Sequence, residues 1–390
     1  MFKVQTLNKI APEGLALFPK DKYEFGPDIK DPDLIIVRSA DLLNAVIPES
    51  VLAIARAGAG YNNIPLEICD ERGIVVFNTP GANAASVKEL VLASLFLSSR
   101  KIIDGIIWTK ELISSKVHIG QAVEKGKSLF EGPEIKGKTL GVVGLGAIGV
   151  MVANDALALG MDVIGYDPYI SIDAAWNLSR MVQRAETLET LLQKSDYVTI
   201  HIPYSDKTKD LFNKEKLALM KKGSRLINLA RGGLAKEADV IAALDAGIIS
   251  SYITDFPTDE LIRHKNVICF PHLGASTPEA EINCAKMAVT ELVNFLEHGI
   301  IRNSVNYPSC SLEQKEKHRL IVANKNIPNM VGQITTLLAR ENINITDLIN
   351  HHRGDQAFNI IDTQQDISER LIDKLKHIEG IVRVRTITKG

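Results

Sequence analysis

The segment Lys138-Thr-Leu-Gly-Val-Val-Gly-Leu-Gly-Ala-Ile-Gly149 constrains this chain more than any other. Thr139 to Val143 reads as a buried strand running straight into Gly144-x-Gly146-x-x-Gly149. An apolar, Ala-rich helical run follows from Val150 to Leu159, then a second strand from Asp162 to Tyr166, ending at Asp167. Strand, glycine turn, helix, strand and acid in that order form a βαβ dinucleotide-binding fingerprint. In such a unit Gly144 permits the tight turn, Gly146 lets the backbone approach a pyrophosphate, and Gly149 lets the helix pack close to the strand. The helix N-terminus offers unpaired N–H groups and a positive dipole end to the phosphates. Asp167 sits where a carboxylate accepts hydrogen bonds from both ribose hydroxyls and repels a 2′-phosphate. No arginine in the next few residues stands ready to receive that phosphate, so the expected cofactor is NAD rather than NADP.

At 390 residues the chain has room for two or three domains. Its 45% hydrophobic and 24% charged content is that of a soluble globular protein, and a net charge of -2 gives no reason to expect a nucleic-acid partner. Cys69, Cys269, Cys284 and Cys310 are scattered, without zinc-ligand spacing or the density of a disulfide framework. They read as small buried residues in a reducing cytosol, and no metal site is expected. The N-terminus has no signal-peptide core and no apolar run reaches transmembrane length, so the expected location is the cytoplasm, away from a membrane.

Short strands alternate with helical runs through most of the chain. The strands are expected at Phe2–Leu7, Leu34–Val37, Ala53–Arg56 and Val75–Phe77, with helices at Pro48–Leu52, Leu66–Arg72 and Ala85–Ser98. Residues 99–137 read as a connecting helix plus loop. Further strands are expected at 196–201, 224–229, 248–254 and 266–270, and a long amphipathic helix at 280–297. That helix could return the chain to the first unit, making the cofactor domain an insertion. The pattern predicts two doubly wound parallel-sheet domains of Rossmann and flavodoxin type. Residues 1–98 and 271–303 would form one split domain and 99–270 the other. Residues 304–317, rich in Pro, Ser and charge, read as a linker. Residues 318–390 follow as a separate βαββαβ unit of ferredoxin-like type, small enough that pairing with a second copy would help it.

Charged residues fall at the ends of predicted strands, where open α/β sheets bind ligands. Arg231 opens Arg-Gly-Gly after the strand ending at Leu229, Asp255 and Glu260 follow the one ending at Thr254, and His272 follows the one ending at Phe270. Moving a hydride between a nicotinamide and a 2-hydroxy acid requires a base for the hydroxyl proton and a fork for the carboxylate. His272, with an ordinary pKa of about 6.5, suits the first role. Arg231 can hold a carboxylate through two parallel hydrogen bonds, which lysine cannot. A carboxylate beside the imidazole would favour the imidazolium and orient the ring. Glu260 is the first choice and Asp259 its rival.

With these residues in view, the chain resembles the NAD-dependent D-2-hydroxyacid dehydrogenases over essentially its whole length. The resemblance rests on Arg56-Ala-Gly-Ala-Gly60, Phe77-Asn-Thr-Pro-Gly81, the Gly144–Gly149 loop, Asn228-Leu-Ala-Arg-Gly-Gly233 and Pro271-His-Leu-Gly-Ala-Ser-Thr277. It implies Arg231, Glu260 and His272 as catalytic trio. It implies Gly144, Gly146, Ala147, Ile148, Gly149, Asp167, Leu229, Ala230, Asp255, His272, Gly274 and Ala275 as the cofactor site, with Asp255 touching the nicotinamide amide. Arg56, Ala57, Gly58, Asn78 and Arg231 would face the substrate, and Arg38 or Lys127 could reach a substrate phosphate. The family loop normally reads Asp-Val-Phe-x-x-Glu-Pro; here Asp255-Phe-Pro-Thr-Asp-Glu-Leu261 selects Glu260 when counted without a gap and Asp259 when Phe-Pro is aligned.

The tail resembles an ACT domain, a small-molecule regulatory module. Its loop reads Asn326-Ile-Pro-Asn329, with asparagine in place of the usual glycine, and Asn324 replaces a histidine sometimes found there. Asn326 and Asn344 match positions that hold serine between paired domains. Together the resemblances imply oxidation of 3-phospho-D-glycerate to 3-phosphohydroxypyruvate with NAD, L-serine as effector, and a homodimer or homotetramer. The alternatives are a reductase of glyoxylate or hydroxypyruvate, or an NAD-sensing scaffold without catalysis.

Overall fold

The computed structural model describes residues 1–115 and 117–389. Position 116, inside the expected connecting segment, and position 390, the end of the expected tail, lie outside them. The chain divides into two compact units, 1–83 with 278–389 and 84–277.

The first unit holds a five-stranded parallel sheet of β1 (Phe2–Leu7), β2 (Tyr23–Gly26), β3 (Leu34–Val37), β4 (Ala53–Arg56) and β5 (Val75–Phe77), in the order β2-β1-β3-β4-β5. Both faces are covered, which is why Leu34-Ile-Ile-Val37 is apolar throughout rather than alternating. Leu34 and Ile36 face the helix Pro278–His298 through Ala285, Ala288 and Leu292, whereas Ile35 and Val37 join Ile54, Val76 and Ile74 on the other side. The expected helix at Pro48–Leu52 is instead a turn, closed by Val51 N–H to the Pro48 carbonyl at 3.2 Å. Five residues cannot recover the cost of nucleating a helix without packing of their own. The edge strand β2, too polar to read as a strand from sequence, pairs in parallel with β1.

The second unit holds a seven-stranded parallel sheet: β6 (Thr139–Val143), β7 (Asp162–Tyr166), β8 (Gln183–Arg184), β9 (Tyr197–Ile200), β10 (Ser224–Asn228), β11 (Ile249–Thr254) and β12 (Val267–Cys269). Its order, β12-β11-β10-β9-β6-β7-β8, reverses direction at β6, so β6 and β9 flank a topological switch point. This unit starts at Ala84 rather than near 99. The helix Ala84–Ser99 sends Val87, Val91 and Leu95 into the core beside Val150, Ala153 and Ala156 of the helix Ala147–Ala158, and Lys88 pairs with Asp155 at 2.8 Å. Residues 99–137 carry more helix than the sequence reading gave them: Ile102–Glu111 and Ile119–Gly126, each followed by a 3₁₀ turn. Trp108 and Phe130 pack together there, with ring centroids 5.2 Å apart.

The tail forms an antiparallel sheet of β13 (His318–Lys325), β14 (Ile345–Arg353), β15 (Gln356–Thr363) and β16 (Ile381–Thr388), in the order β14-β15-β13-β16. The helices Met330–Arg340 and Glu369–Lys376 cover the face bearing Leu320, Val322 and Ile361. The opposite face is where structure and sequence reading part. Ile321, Ala323, Phe358, Ile360 and Ile387 belong to the same core as Phe77, Phe295 and Leu292 of the parallel-sheet domain. Phe295 bridges the two, with centroids 5.7 Å from Phe77 and 6.5 Å from Phe358. Arginines complete the join. Arg319 makes a fully buried bidentate pair with Asp362, at 2.6 and 2.9 Å, and donates to the His298 carbonyl at 2.7 Å. Arg385 donates to the Phe295 and Leu296 carbonyls, so two cations satisfy the C-terminal end of the long helix.

The first half of the expected linker, residues 304–310, is likewise built in, whereas 311–317 stay exposed or half-buried. Ser304, Asn306, Tyr307 and Cys310 are buried. The Asn306 side chain accepts from Val76 N–H and donates to the Ile74 carbonyl and to Asp70. A Ser- and Pro-rich stretch resembles a linker by composition, but here its polar side chains supply partners for backbone groups along the edge of β5.

Candidate active site

The glycine loop follows from the backbone alone. Gly144 has φ +93°, and a Cβ there would meet the His201 carbonyl oxygen at 2.6 Å. A Cβ on Gly149 would sit 1.9 Å from the Gly144 carbonyl oxygen, so the helix Ala147–Ala158 can approach β6 this closely only without a side chain. A Cβ on Gly146, in contrast, would meet nothing within 4 Å. That open side lies at the helix N-terminus, where Ala147 and Ile148 begin the first turn, and it fits the approach of a phosphate to the backbone. Asp167 closes the loop from the end of β7: one oxygen accepts from Leu145 N–H and the other from Tyr169 N–H, both at 2.8 Å. The carboxylate is thereby fixed beside the glycine turn. His201, at the end of β9, lies under the same turn. It pairs with Thr199 Oγ1 at 2.9 Å, and burial pushes its imidazole down to about 3, so it stays neutral.

The second cluster gathers at the carboxyl ends of β10, β11 and β12. Asn228, the last residue of β10 and 1% exposed, shapes the loop that carries Arg231. Its amide donates to the Arg231 carbonyl at 2.9 Å and accepts from Ala230 N–H at 3.2 Å. The Arg231 side chain is exposed and folds back on the Ala230 carbonyl at 2.7 Å. Leu229 is buried in the core of the second unit. His272 is exposed and held in the left-handed region at φ +49°, a conformation that costs energy in a non-glycine residue and tends to mark sites where geometry is prescribed. Its ring stands edge-on to Phe256, centroids 5.0 Å apart. Gly274 N–H donates to Asp255 Oδ2 at 3.3 Å, and Ala275 follows it, half-buried. Asp255 is 1% exposed, and its Oδ1 has no partner among the described residues. Burial raises its carboxyl above the ordinary range, with the charges of His272 and Arg231 pulling it back. A buried acceptor left open in this way suits an amide N–H from a bound cofactor.

A cavity of about 410 Å³ lies between these loops, lined by Gly233, Glu237, Tyr252, Asp255, Phe256 and His272 among others. Neither acid singled out in the sequence lines it. Thr258 caps the short helix Asp259–Arg263 by accepting from Leu261 N–H, and Asp259 and Glu260 are both exposed in its first turn. Among the described residues neither bonds to His272. Glu237, opening the helix Glu237–Asp245, does line the cavity and was not anticipated. Six residues beyond Arg231, it reads in sequence as a solvated acid in a helical first turn.

The remaining expected residues belong to the first unit. Arg56 ends β4, its Nε donating to the Arg38 carbonyl at 3.1 Å, and a Cβ on Gly58 would strike the Arg56 guanidinium. Ala57 is buried. Asn78 donates to the Ala59 carbonyl at 2.7 Å, and Thr79 N–H to the Gly58 carbonyl at 3.1 Å, so the Arg56–Gly60 and Phe77–Gly81 segments form one braced surface. Arg38 pairs with Glu281 at 2.7 Å. Lys127 pairs with Glu124 in the helical segment of the second unit. In the tail, Asn329 adopts the left-handed conformation at φ +66° that the missing glycine would have supplied. The Asn326 amide is spent on the Gly354 carbonyl at 3.2 Å, and Asn344 is exposed. Asn324 is buried, accepting from Asn359 at 2.7 Å.

A parallel-sheet unit with this glycine loop, and a His–Arg–Asp cluster at the ends of neighbouring strands, define a nicotinamide-dinucleotide dehydrogenase fold. Residues 106–274 match the NAD-binding domain of the D-isomer specific 2-hydroxyacid dehydrogenases. A D-3-phosphoglycerate dehydrogenase of Haemophilus influenzae is 31% identical over 94% of this chain and 89% of its own length. One from Methanocaldococcus jannaschii is 34% identical over 84% of this chain and 61% of its own. The NAD⁺-bound 3-phosphoglycerate dehydrogenase structure from Entamoeba histolytica superposes with a TM-score of 0.62 at 26% identity, covering 78% of this chain and 98% of that one. This chain belongs to the D-2-hydroxyacid dehydrogenase family. It spans 52–65% of the length of the first three curated relatives it matches, each of which is called a D-3-phosphoglycerate dehydrogenase. No helix among the described residues is long and apolar enough to cross a membrane.

Proposed function

We propose that the protein oxidises 3-phospho-D-glycerate to 3-phosphohydroxypyruvate with NAD, the step that opens L-serine synthesis. The observation that carries this reading is the convergence of His272, Asp255 and the Arg231 loop on one cavity, in a chain whose relative in Haemophilus influenzae, matched over 89% of its length, is named for that substrate. Bound NAD supplies the hydride acceptor. Gly144, Gly146 and Gly149 would admit its pyrophosphate, Asp167 would accept from the ribose hydroxyls, and Asp255 Oδ1 would accept from the carboxamide. The His272 imidazole accepts the proton of the substrate hydroxyl as the hydride leaves. Arg231, once released from the Ala230 carbonyl, forks the substrate carboxylate. Arg56, with Arg38 or Lys127, would supply positive charge for the substrate phosphate.

The test compares NADH formation from 3-phosphoglycerate with NADH consumption on glyoxylate and on hydroxypyruvate. Faster turnover of 3-phosphoglycerate supports the proposal. Activity confined to glyoxylate or hydroxypyruvate favours the reductase, and NAD binding without turnover favours a scaffold.

Assembly and regulation belong to the same proposal. Ile102, Ile103, Ile106 and Ile107 are all exposed on the helix Ile102–Glu111, an apolar surface that a second copy of the chain would cover. Ile106→Asp should then shift the mass in solution toward monomer. An L-serine site in the tail rests mainly on the exposed Asn344, since the Asn326 amide is already paired. Millimolar L-serine should change activity and melting temperature if that site operates. The scattered positions of Cys69, Cys269, Cys284 and Cys310, three of them buried, fit a cytoplasmic location.

A further inference from the structure

The Phe77–Gly81 segment is held from behind by a residue with no part in the chemistry. Glu291 lies in the middle of the helix Pro278–His298 and is 6% exposed. A carboxyl group in that position is costly unless it is hydrogen-bonded. Its Oε1 accepts from Asn303 Nδ2 at 2.7 Å, while Oε2 has no partner among the described residues. Asn303 in turn occupies the left-handed region at φ +52°. Its carbonyl accepts from Asn78 N–H at 3.3 Å, Ser304 bridges Phe77 antiparallel, and Val305 N–H donates to the Val76 carbonyl at 2.9 Å. Asn78 then holds the Ala59 carbonyl and Thr79 holds that of Gly58. A continuous line of hydrogen bonds and backbone thus runs from a buried helix acid to the loop after Arg56.

We propose that Glu291 is a positioning residue for the substrate: acting through Asn303, it sets the placement of Asn78 and the Gly58–Ala59 backbone. This rests on the reading above that those segments face the hydroxy acid. The requirement is for an acceptor at Oε1, not for a charge. Glutamine therefore replaces Glu291 without loss and alanine does not. The effect reaches substrate affinity rather than the hydride step, because neither Glu291 nor Asn303 belongs to the His272 cluster.

The experiment uses the full chain with Glu291→Gln, Glu291→Ala and Asn303→Gly. Glycine at 303 keeps the left-handed backbone and removes only the amide. Losing one hydrogen bond to a carboxyl group predicts a KM for 3-phosphoglycerate raised about tenfold in Glu291→Ala and Asn303→Gly, with kcat within about twofold of wild type. KM for NAD should be unchanged, and Glu291→Gln should behave as wild type. Amide hydrogen exchange is read in parallel without substrate, and it should quicken at residues 57–60 and 78–79 in the same two variants. Should the wild type fail to turn over 3-phosphoglycerate, the proposed function falls while the exchange measurement still decides this inference. Should Glu291→Ala fail to fold, Asn303→Gly decides it. Wild-type KM together with unchanged exchange in a folded Asn303→Gly protein overturns it.

Discussion

The glycine loop at 144–149 and the segment at 255–272 sit at carboxyl ends of strands in the same sheet, yet they are encoded differently. In the glycine loop each residue answers to its own backbone: Gly144 to a positive φ, Gly149 to a carbonyl 1.9 Å from where its Cβ would be, Gly146 to open space. In the second segment each residue answers to neighbours far away in sequence. Asp255 depends on Gly274, and His272 shares its cavity with Glu237. Local steric demands leave a signature at fixed spacing, whereas a convergent acid leaves none.

The largest expected effect lies in the distributed half. His272→Ala should lower kcat by about 10²–10⁴-fold, as loss of a general base does, while NAD affinity measured by calorimetry stays near wild type. Retention of turnover would remove His272 as the base. Arg231→Lys should cost both KM and kcat, because the fork is lost.

The locally encoded half can be broken in two distinct ways. Gly149→Ala places a methyl against the Gly144 carbonyl and should destabilise the fold by about 1–3 kcal/mol, visible in thermal melting, with NAD binding lost alongside. Gly146→Ala meets no protein atom, so its melting temperature should hold while NAD affinity falls. If both variants change melting equally, the separation of roles within the loop is wrong.

The acid beside His272 is where the two halves differ most. Glu260→Gln, Asp259→Asn and Glu237→Gln are compared through the pH dependence of kcat/KM. Only the true partner should move the imidazole's apparent pKa downward, since it alone favours the imidazolium. A profile unmoved in all three would point to Asp255, which is buried in the same cavity as His272.

What was legible in the sequence follows the same division. Every strand of both parallel sheets except the polar edge strands β2 and β8, the βαββαβ order of the tail and the glycine loop could be read because period and spacing are local properties. The fusion of the tail with the first domain could not. Ile321 and Ala323 alternate with Leu320 and Val322, so the strand reads as buried on both faces, but nothing in that pattern names Phe77 and Phe295 as what covers the second face. Asn306 and Arg385 were equally silent, because the partners that tie them into the fold are mostly backbone groups, which carry no residue code.

A smaller effect should appear in stability against pH. Burial raises the Glu291 carboxyl to about 8, above its value in the unfolded chain. The native state therefore binds that proton more tightly. The stability it confers is complete below about pH 4.5 and is lost as pH rises through about 8. Melting temperature should fall across that window, and Glu291→Gln should flatten part of the slope. An identical slope in the variant would mean that Glu291 titrates normally.

The central claim is that a carboxylate at the end of β7 and a base at the end of β12 serve one NAD-linked oxidation. Its most direct test is the ratio of kcat/KM for NAD over NADP with 3-phosphoglycerate, followed as reduced cofactor at 340 nm. Asp167, fixed by Leu145 and Tyr169 N–H groups beside the glycine turn, predicts a ratio well above one. A ratio below one, or no reduced cofactor from either dinucleotide, would contradict it.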